Sequence, residues 1–474
     1  MKTCIHILDD DSLLCLFYLC RPAILDKEEF DNTKILQGGV WDRERWWYKL
    51  VQVCRRWRYL IFASASHLGL NLHCTYGTPV SNMLVHSPPL PLVIDYVDED
   101  RDTTAEDRDA VLFALQHRDR VRRIRVLMSV SQLQTLITAL DNEFPILEYV
   151  YIEPPTKHKS GLILPDGFQA PRLRHLILLT FAFPIRCPLL MTVVGLVTLS
   201  IQYIHPSTNC CPEDFFQQLA LLPQLETLGI SFSAVFTQHD VDTQLFHRPL
   251  ITDLKLPNLR WLGFRGISTY LEAVLPRMTT PLLEKLQLVF FDQPNVSIPR
   301  LLQVVIAAKK NLRFYSAMIR FSNNFVFVYV GPCEGAPIST FRVHLGIPCT
   351  TLDDQVAFVA QIFLQLGTTF SAIERLTLEF RRTSLFSELV DEAQGIRWGD
   401  LFRQFSNVKT LHLDDEFVRP VSRSLRVDGG GSAMELLPEL KVLEYPAFWD
   451  VENPFNGFID TRKNAGHPIT VVHV

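Results

Sequence analysis

The residue groupings that could carry chemistry are few, and each has a plain structural reading beside it. Cys210 and Cys211, five residues after His205, come nearest to a metal-ligand cluster, but no second half stands at ligand spacing. Asp428-Gly429-Gly430-Gly431-Ser432 has the composition of an oxyanion-binding loop; a flexible connection with Ser432 capping a following helix accounts for the same residues. Asp98-Glu99-Asp100 and Asp414-Asp415-Glu416 could pair acids or ligate calcium, yet acidic runs between periodic segments are as a rule solvated loops. Arg118, Arg120, Arg122, Arg123 and Arg125 form a basic run that could meet phosphate, although its apolar members fit a repeat described below and leave the arginines free to face water. The sequence contains no glycine-rich phosphate loop, no His-Glu-x-x-His and no Gly-x-Ser-x-Gly element. We therefore expect a chain that binds, with no catalytic centre, no metal and no cofactor.

Composition narrows what it can bind. Of 474 residues, 47% are hydrophobic and 20% charged, enough to pack most of the chain into a core. A net charge of −5 provides no general field for steering toward nucleic acid or acidic lipid, so neither is expected as a partner. The ten cysteines show neither Cys-x-x-Cys nor regular spacing, which reads as thiols of a reducing compartment. Ser12 to Cys20 is apolar, but Asp9, Asp10 and Asp11 stand where a secretion signal carries positive charge. The stretch from Cys187 to Pro212 lacks Asp, Glu, Lys and Arg and is long enough to span a membrane; Pro188, Gly195, Gln202 and His205 interrupt it. The expectation is a cytoplasmic or nuclear protein.

The elements that would position any site are set by an internal repeat. One phrase recurs: apolar, two residues, apolar, one residue, apolar, often with proline two places ahead. Clear copies are Pro171-x-Leu173-x-x-Leu176-x-Leu178, Pro223-x-Leu225-x-x-Leu228-x-Ile230, Pro257-x-Leu259-x-x-Leu262-x-Phe264, Pro281-x-Leu283-x-x-Leu286-x-Leu288 and Pro438-x-Leu440-x-x-Leu443-x-Tyr445. Weaker copies begin at Val121, Leu147, Leu196, Leu312, Ile338, Ile373 and Val408, and the twelve lie 23 to 35 residues apart. The alternating tail of each phrase is a half-buried strand. Helical spacing between phrases (Leu133, Leu136, Ile137, Leu140; Val356, Val359, Phe363, Leu366) supplies the crossover that parallel strands require. Thr103 with Glu106 reads as a capping box. The expected fold for residues 67–474 is α/β: an irregular leucine-rich-repeat solenoid with parallel strands on the concave side and helices outside. The Asn or Cys of a strict repeat is missing, with Ser233, Ile267 and Glu416 in its place, so long loops are expected near 155–165, 233–248 and 414–434. Strand alternation would turn the residues between the apolar positions to the concave sheet. Arg123 and Arg125 would then stand beside Tyr149 and Tyr151, those beside His175 and Ile177, with Trp261 further along. Tyr, Trp and Arg carry much interface energy, so this stripe is the candidate target-binding surface; equally, large residues could merely cover the strands.

Residues 1–66 differ in character. Leu13, Leu16 and Phe17 share a helical face behind the caps Asp9–Asp11, and 41–62 read as a second helix, with Leu50, Val53, Cys54, Trp57 and Leu60 on one side. A module this small buries little apolar surface alone.

Ile7-Leu8-Asp9-Asp10-Asp11-Ser12-Leu13-Leu14-Cys15-Leu16-Phe17-Tyr18-Leu19, followed by Val51-Gln52-Val53-Cys54-Arg55-Arg56-Trp57-Arg58-Tyr59-Leu60-Ile61, resembles an F-box, over about one seventh of the chain. With repeats behind it, the arrangement is similar to the F-box and leucine-rich-repeat families expanded in mushroom-forming fungi. Two features depart from the pattern: Asp9 stands in place of the usual proline, and residues 21–44 are inserted between the halves. The resemblance implies an all-helical module that docks on the Skp adaptor through Leu8, Leu13, Leu16, Phe17, Val53, Cys54, Trp57 and Leu60, and through it on a cullin-RING ubiquitin ligase, while the repeats hold an unknown target protein. It also implies that changing Leu16 and Phe17 to Ala abolishes capture. Two other readings stay open: a repeat scaffold with no role in ubiquitin transfer, and an enzyme whose site is dispersed over the repeats.

Overall fold

The computed structural model describes residues 8–21, 46–98, 100–155, 162–181, 188–204, 212–233, 253–291, 314–332, 341–366, 372–381, 398–425, 435–447 and 453–474. Cys210–Cys211, His205 and the Asp428–Ser432 loop lie outside them, as do most of the expected loops near 155–165 and 233–248. The chain divides into two compact units, Met1–Cys210 and Cys211–Val474.

The first unit opens with short helices. They are α1 (Asp10–Leu19), α2 (Trp47–Leu50), α3 (Arg55–Ala63) and α4 (Ala65–Leu68). Six strands follow: β1 (Leu72–Cys74), β2 (Leu92–Tyr96), β3 (Val121–Leu127), β4 (Tyr149–Glu153), β5 (His175–Leu179) and β6 (Thr198–Ile204). Each pairs in parallel with the next in chain order. Between them run α5 (Val80–His86), α6 (Ala105–Leu115), α7 (Val130–Ala139) and α8 (Pro188–Thr192). The uncharged stretch after Cys187 is thus a short helix and a strand where it is described. Among the described residues no helix is long and apolar enough to cross a membrane.

In the second unit the main sheet begins with β7 (Thr227–Phe232), β9 (Trp261–Gly266) and β11 (Lys285–Phe290), paired in parallel. Two short strands, β8 (Leu254–Lys255) and β10 (Met278–Thr279), pair with each other. Here the expectation of uninterrupted parallel strands fails. Strands β12 (Ser316–Phe321), β13 (Phe325–Gly331) and β14 (Val343–Pro348) form an antiparallel meander inserted backwards, so that β14 lies beside β11 and β12 beside β15 (Arg375–Phe380). Parallel pairing resumes through β16 (Thr410–Leu413), β17 (Val442–Tyr445) and β18 (Thr470–His473). The helices of this unit are α9 (Pro212–Leu219), α10 (Ser268–Val274), α11 (Leu352–Leu366), α12 (Trp398–Phe402), α13 (Asp415–Leu425) and α14 (Asn456–Asn464).

In all twelve phrases the strand begins within a few residues of the first apolar position. The inward face of the strands meets helices: Phe264, the third apolar residue of its phrase, stacks on Tyr270 of α10, and Phe321, further along β12, meets both Trp398 of α12 and Phe417 of α13. Tyr315, the second apolar residue of the copy at Leu312, is by contrast exposed. The residue after the first apolar position pins the register. Glu148 N–H donates to the Arg122 carbonyl at 2.8 Å while the side chains pair at 2.9 Å, and Lys409 joins Glu374 in the same two ways. Opposite charges at equivalent places in adjacent phrases favour this pairing over its slips.

Three smaller expectations are corrected. The second helix of the N-terminal module breaks at 51–54 into α2 and α3, because Cys54 leaves the helical region to cap α3, its Sγ accepting Trp57 N–H at 3.5 Å. The capping box lies one residue on, Thr104 with Asp107, whose carboxylate accepts both the Thr104 N–H and hydroxyl. The stretch after Asp414 is a helix, α13, and not a loop: it turns Phe417, Val418, Val421 and Leu425 into the core and carries Pro420 inside it.

Candidate protein-docking site

Among the described residues of the N-terminal module, an ion pair and a ring contact join α1 to α3, and a side-chain cap starts each helix. Asp9 accepts Ser12 N–H at 2.7 Å and starts α1; the Ser12 hydroxyl first, and then this N–H, hold its carboxyl below the usual aspartate range. Arg56 of α3 reaches Asp10 with two nitrogens, at 2.9 and 2.6 Å, and donates to the Leu8 carbonyl at 2.7 Å. Phe17 meets the Trp57 ring edge-on with centroids 4.9 Å apart.

This packing sorts the eight F-box-like positions. Leu13, Phe17 and Leu60 are buried in the module's own core, and Leu8, Cys54 and Trp57 are half-buried. Leu16 keeps 42% of its surface in water and Val53 57%. Three residues outside those eight are exposed with them: Tyr18, Leu19, 77% exposed and one turn beyond Leu16, and Tyr59. The signal for Leu19 was present in the sequence as the continuation of the Leu16 face at i+3.

The second candidate surface lies on β2 to β6. Strand register sets Arg123 opposite Tyr149, Tyr149 opposite His175 and His175 opposite Thr198; one row on, Asp95, Arg125, Tyr151 and Ile177 are neighbours in that order. Arg123 and Arg125 lie over the rings of Tyr149 and Tyr151, each 5.9 Å from the centroid. Asp95, fully buried, pairs with Arg125 at 2.9 Å and accepts Val97 N–H at 3.2 Å. His175 Nδ1 is 3.0 Å from the Thr198 hydroxyl. Tyr151 donates to the Glu153 carboxylate. Burial raises the Tyr149 and Tyr151 phenols, with the Glu153 charge adding to the rise at Tyr151, so both stay neutral donors.

The stripe is less open than alternation alone implies. Tyr149 is 8% exposed and forms a small apolar cluster with Ile177 and Leu179, against which Tyr151 and Tyr203 pack. Arg123 is the exposed member. Large side chains here do cover the strands, which gives part of the stripe a packing role. Trp261 belongs to the second unit, where it faces Thr227 and Lys285 across the register and lays its ring over Gly263.

Among the described residues no group of His, Cys, Asp and Glu is arranged to hold a metal ion. No known family matches the sequence and no curated protein does. Among solved structures, a crystal structure of a Bacteroides fragilis protein aligns over 80% of this chain and 73% of its own, at 12% identity and a TM-score of 0.21. A likeness that slight carries no argument.

Proposed function

We propose that the chain is a substrate-recognition adaptor of an SCF-type ubiquitin ligase, with residues 1–66 an F-box docking on the Skp adaptor and the repeats, an irregular leucine-rich-repeat solenoid, holding a target protein. The observation that carries this reading is the state of the N-terminal module. Among its described residues Leu13, Phe17, Trp47, Leu60 and Ile61 are buried, yet Leu16, Leu19, Val53 and Tyr59 stay in water. A module of this size gains by covering such residues, and burying apolar side chains on a partner is the usual driving term for helix docking. The Val53-Cys54-Arg55-Arg56-Trp57 run and the phrase-built strands behind it add to the case.

The test is co-expression of the full chain with a fungal Skp adaptor, read by size-exclusion chromatography. A stable complex of equal stoichiometry is expected. Elution of the folded chain free of adaptor would sink the adaptor reading and leave a repeat scaffold as the alternative.

A further inference from the structure

The second unit holds an aromatic ladder outside the repeat phrase. Alternation along β13 turns Val326, Val328 and Val330 into the core, where all three are fully buried, and sets Phe325, Phe327 and Tyr329 on the opposite face. Phe325 and Phe327 stack with centroids 5.7 Å apart, and Phe327 and Tyr329 follow at 6.3 Å. His344 of β14, opposite Tyr329 in the register, stacks on it at 4.4 Å. A glycine lets the rings lie close to the sheet: a Cβ on Gly346 would stand 2.7 Å from the Phe327 ring. Phe325, Phe327 and His344 all keep part of their surface in solvent.

The charges around the ladder have one dominant sign. Arg320 lies over Tyr329, 5.7 Å from its centroid, and pairs with Glu379 at 2.6 Å. Burial, then Lys285 and Arg320, push His344 down to about 4, so the imidazole is neutral near pH 7, and its Nε2 has no hydrogen-bond partner among the described residues. Arg320 and the exposed Arg381 act on Tyr329 against Glu379. Among the described residues Lys285, Arg320 and Arg381 act on His344 or Tyr329, and Glu379, which opposes them at Tyr329, is paired with Arg320.

We propose that this ladder receives an acidic segment of the target protein, whose apolar side chains lie on Phe325 and Phe327 while its carboxylates face Lys285, Arg320 and Arg381. The inference rests on the adaptor reading for the identity of that partner as a target. Stacked aromatic rings with an adjoining arginine are the surface type that most often carries interface energy. A rim of one sign speeds an oppositely charged segment to it and rejects basic ones.

The probe is a fluorescently labelled random copolymer of glutamate and tyrosine, titrated with the full chain and followed by anisotropy, beside a lysine–tyrosine copolymer and heparin. The acidic copolymer should bind saturably and more weakly as salt rises. Lys285→Glu with Arg381→Glu should weaken it by at least about tenfold, and Phe327→Ala by a similar factor. Arg381→Glu alone, at an exposed site, should weaken it by a smaller factor without altering the melting temperature. Failure of the acidic copolymer to bind, binding indifferent to all these variants, or heparin binding insensitive to Phe327→Ala at equal strength would overturn the proposal. The same preparations are assayed for Skp capture. Capture without copolymer binding overturns this inference alone, and the reverse result overturns the adaptor reading while leaving the acidic-segment surface in place.

Discussion

Replacing Leu16, Leu19 and Val53 together by Ser separates docking from folding in the N-terminal module. These side chains keep 42%, 77% and 57% of their surface in water, so the module's own core loses little when they change. Full burial of a Leu or Val is worth about 1.5–3 kcal/mol. Scaling that by the exposed fractions puts the three together at about 3–5 kcal/mol if a partner covers them completely. The dissociation constant should therefore rise by roughly two to four powers of ten. Phe17→Ala is the contrasting variant. Phe17 is buried against Trp57, and deleting such a ring costs about 3–5 kcal/mol of stability. It would abolish capture by melting the module, so the Leu16 and Phe17 double change that the sequence suggests cannot distinguish docking from folding. Calorimetry with purified Skp adaptor measures the affinity, and near-ultraviolet circular dichroism reports whether the Phe17–Trp57 contact persists. Unchanged affinity in the triple Ser variant, with the aromatic signal intact, would refute the argument.

Asp95→Ala removes the partner of a largely buried Arg125 and should lower stability by about 3–5 kcal/mol in chemical denaturation, whereas Arg125→Met with Asp95→Leu should recover much of it. Gly346→Val forces a side chain against the Phe327 ring and should cost about 1–3 kcal/mol, whereas Gly457→Ala, where nothing lies within 4 Å of the added carbon, should not lower the melting temperature. Burial raises the Asp414 pKa above 3.8 despite the hydrogen bond it accepts from Phe380 N–H at 2.8 Å. The folded state then holds this proton more tightly than the unfolded one, so Asp414 contributes stability below pH 3.8 that is lost as pH rises through its folded pKa. Asp414→Asn keeps the acceptor and should flatten that part of the pH–stability curve; an unchanged curve would show that the carboxyl titrates alike in both states.

The parallel strands were legible because the phrase carries both of their requirements. Its alternation supplies one face for the helix layer, and its spacing leaves room for a crossover. Register was legible for the same reason: equivalent positions in successive phrases meet, as Arg123, Tyr149 and His175 do. Exposure was not. Nothing in the pattern says that Tyr149 will be packed with Ile177 and Leu179 while Arg123 stays in water, because that depends on what lies over the strands. Burial among the F-box-like positions was illegible for the same reason. A helical face identifies Leu13, Leu16 and Phe17 as apolar, but which of them becomes core is decided by how α3 sets Trp57 against α1.

The β12–β14 meander hid behind its spacing. Phrases beginning at Leu312 and Ile338 stand 26 residues apart, as those at Val121 and Leu147 do, so period alone cannot distinguish a helical crossover from a hairpin return. The connection distinguishes them. Ser322-Asn323-Asn324 separates β12 from β13, and three residues cannot carry a strand back to begin a parallel neighbour, which takes a dozen or more. Short polar residues between a strand and the alternating Phe325-Val326-Phe327-Val328-Tyr329-Val330 are a hairpin signal in their own right. The reversal also reorders the face of the sheet. Across the second unit one row of the sheet reads Gln287, His344, Tyr329, Met318, Thr377, out of chain order, and so brings Arg320 and Glu379 beside rings that the repeat count would place elsewhere. On the proposed adaptor reading a target held on this unit would meet residues in the order of the sheet, and substitutions chosen by counting repeats along the chain would miss the ladder.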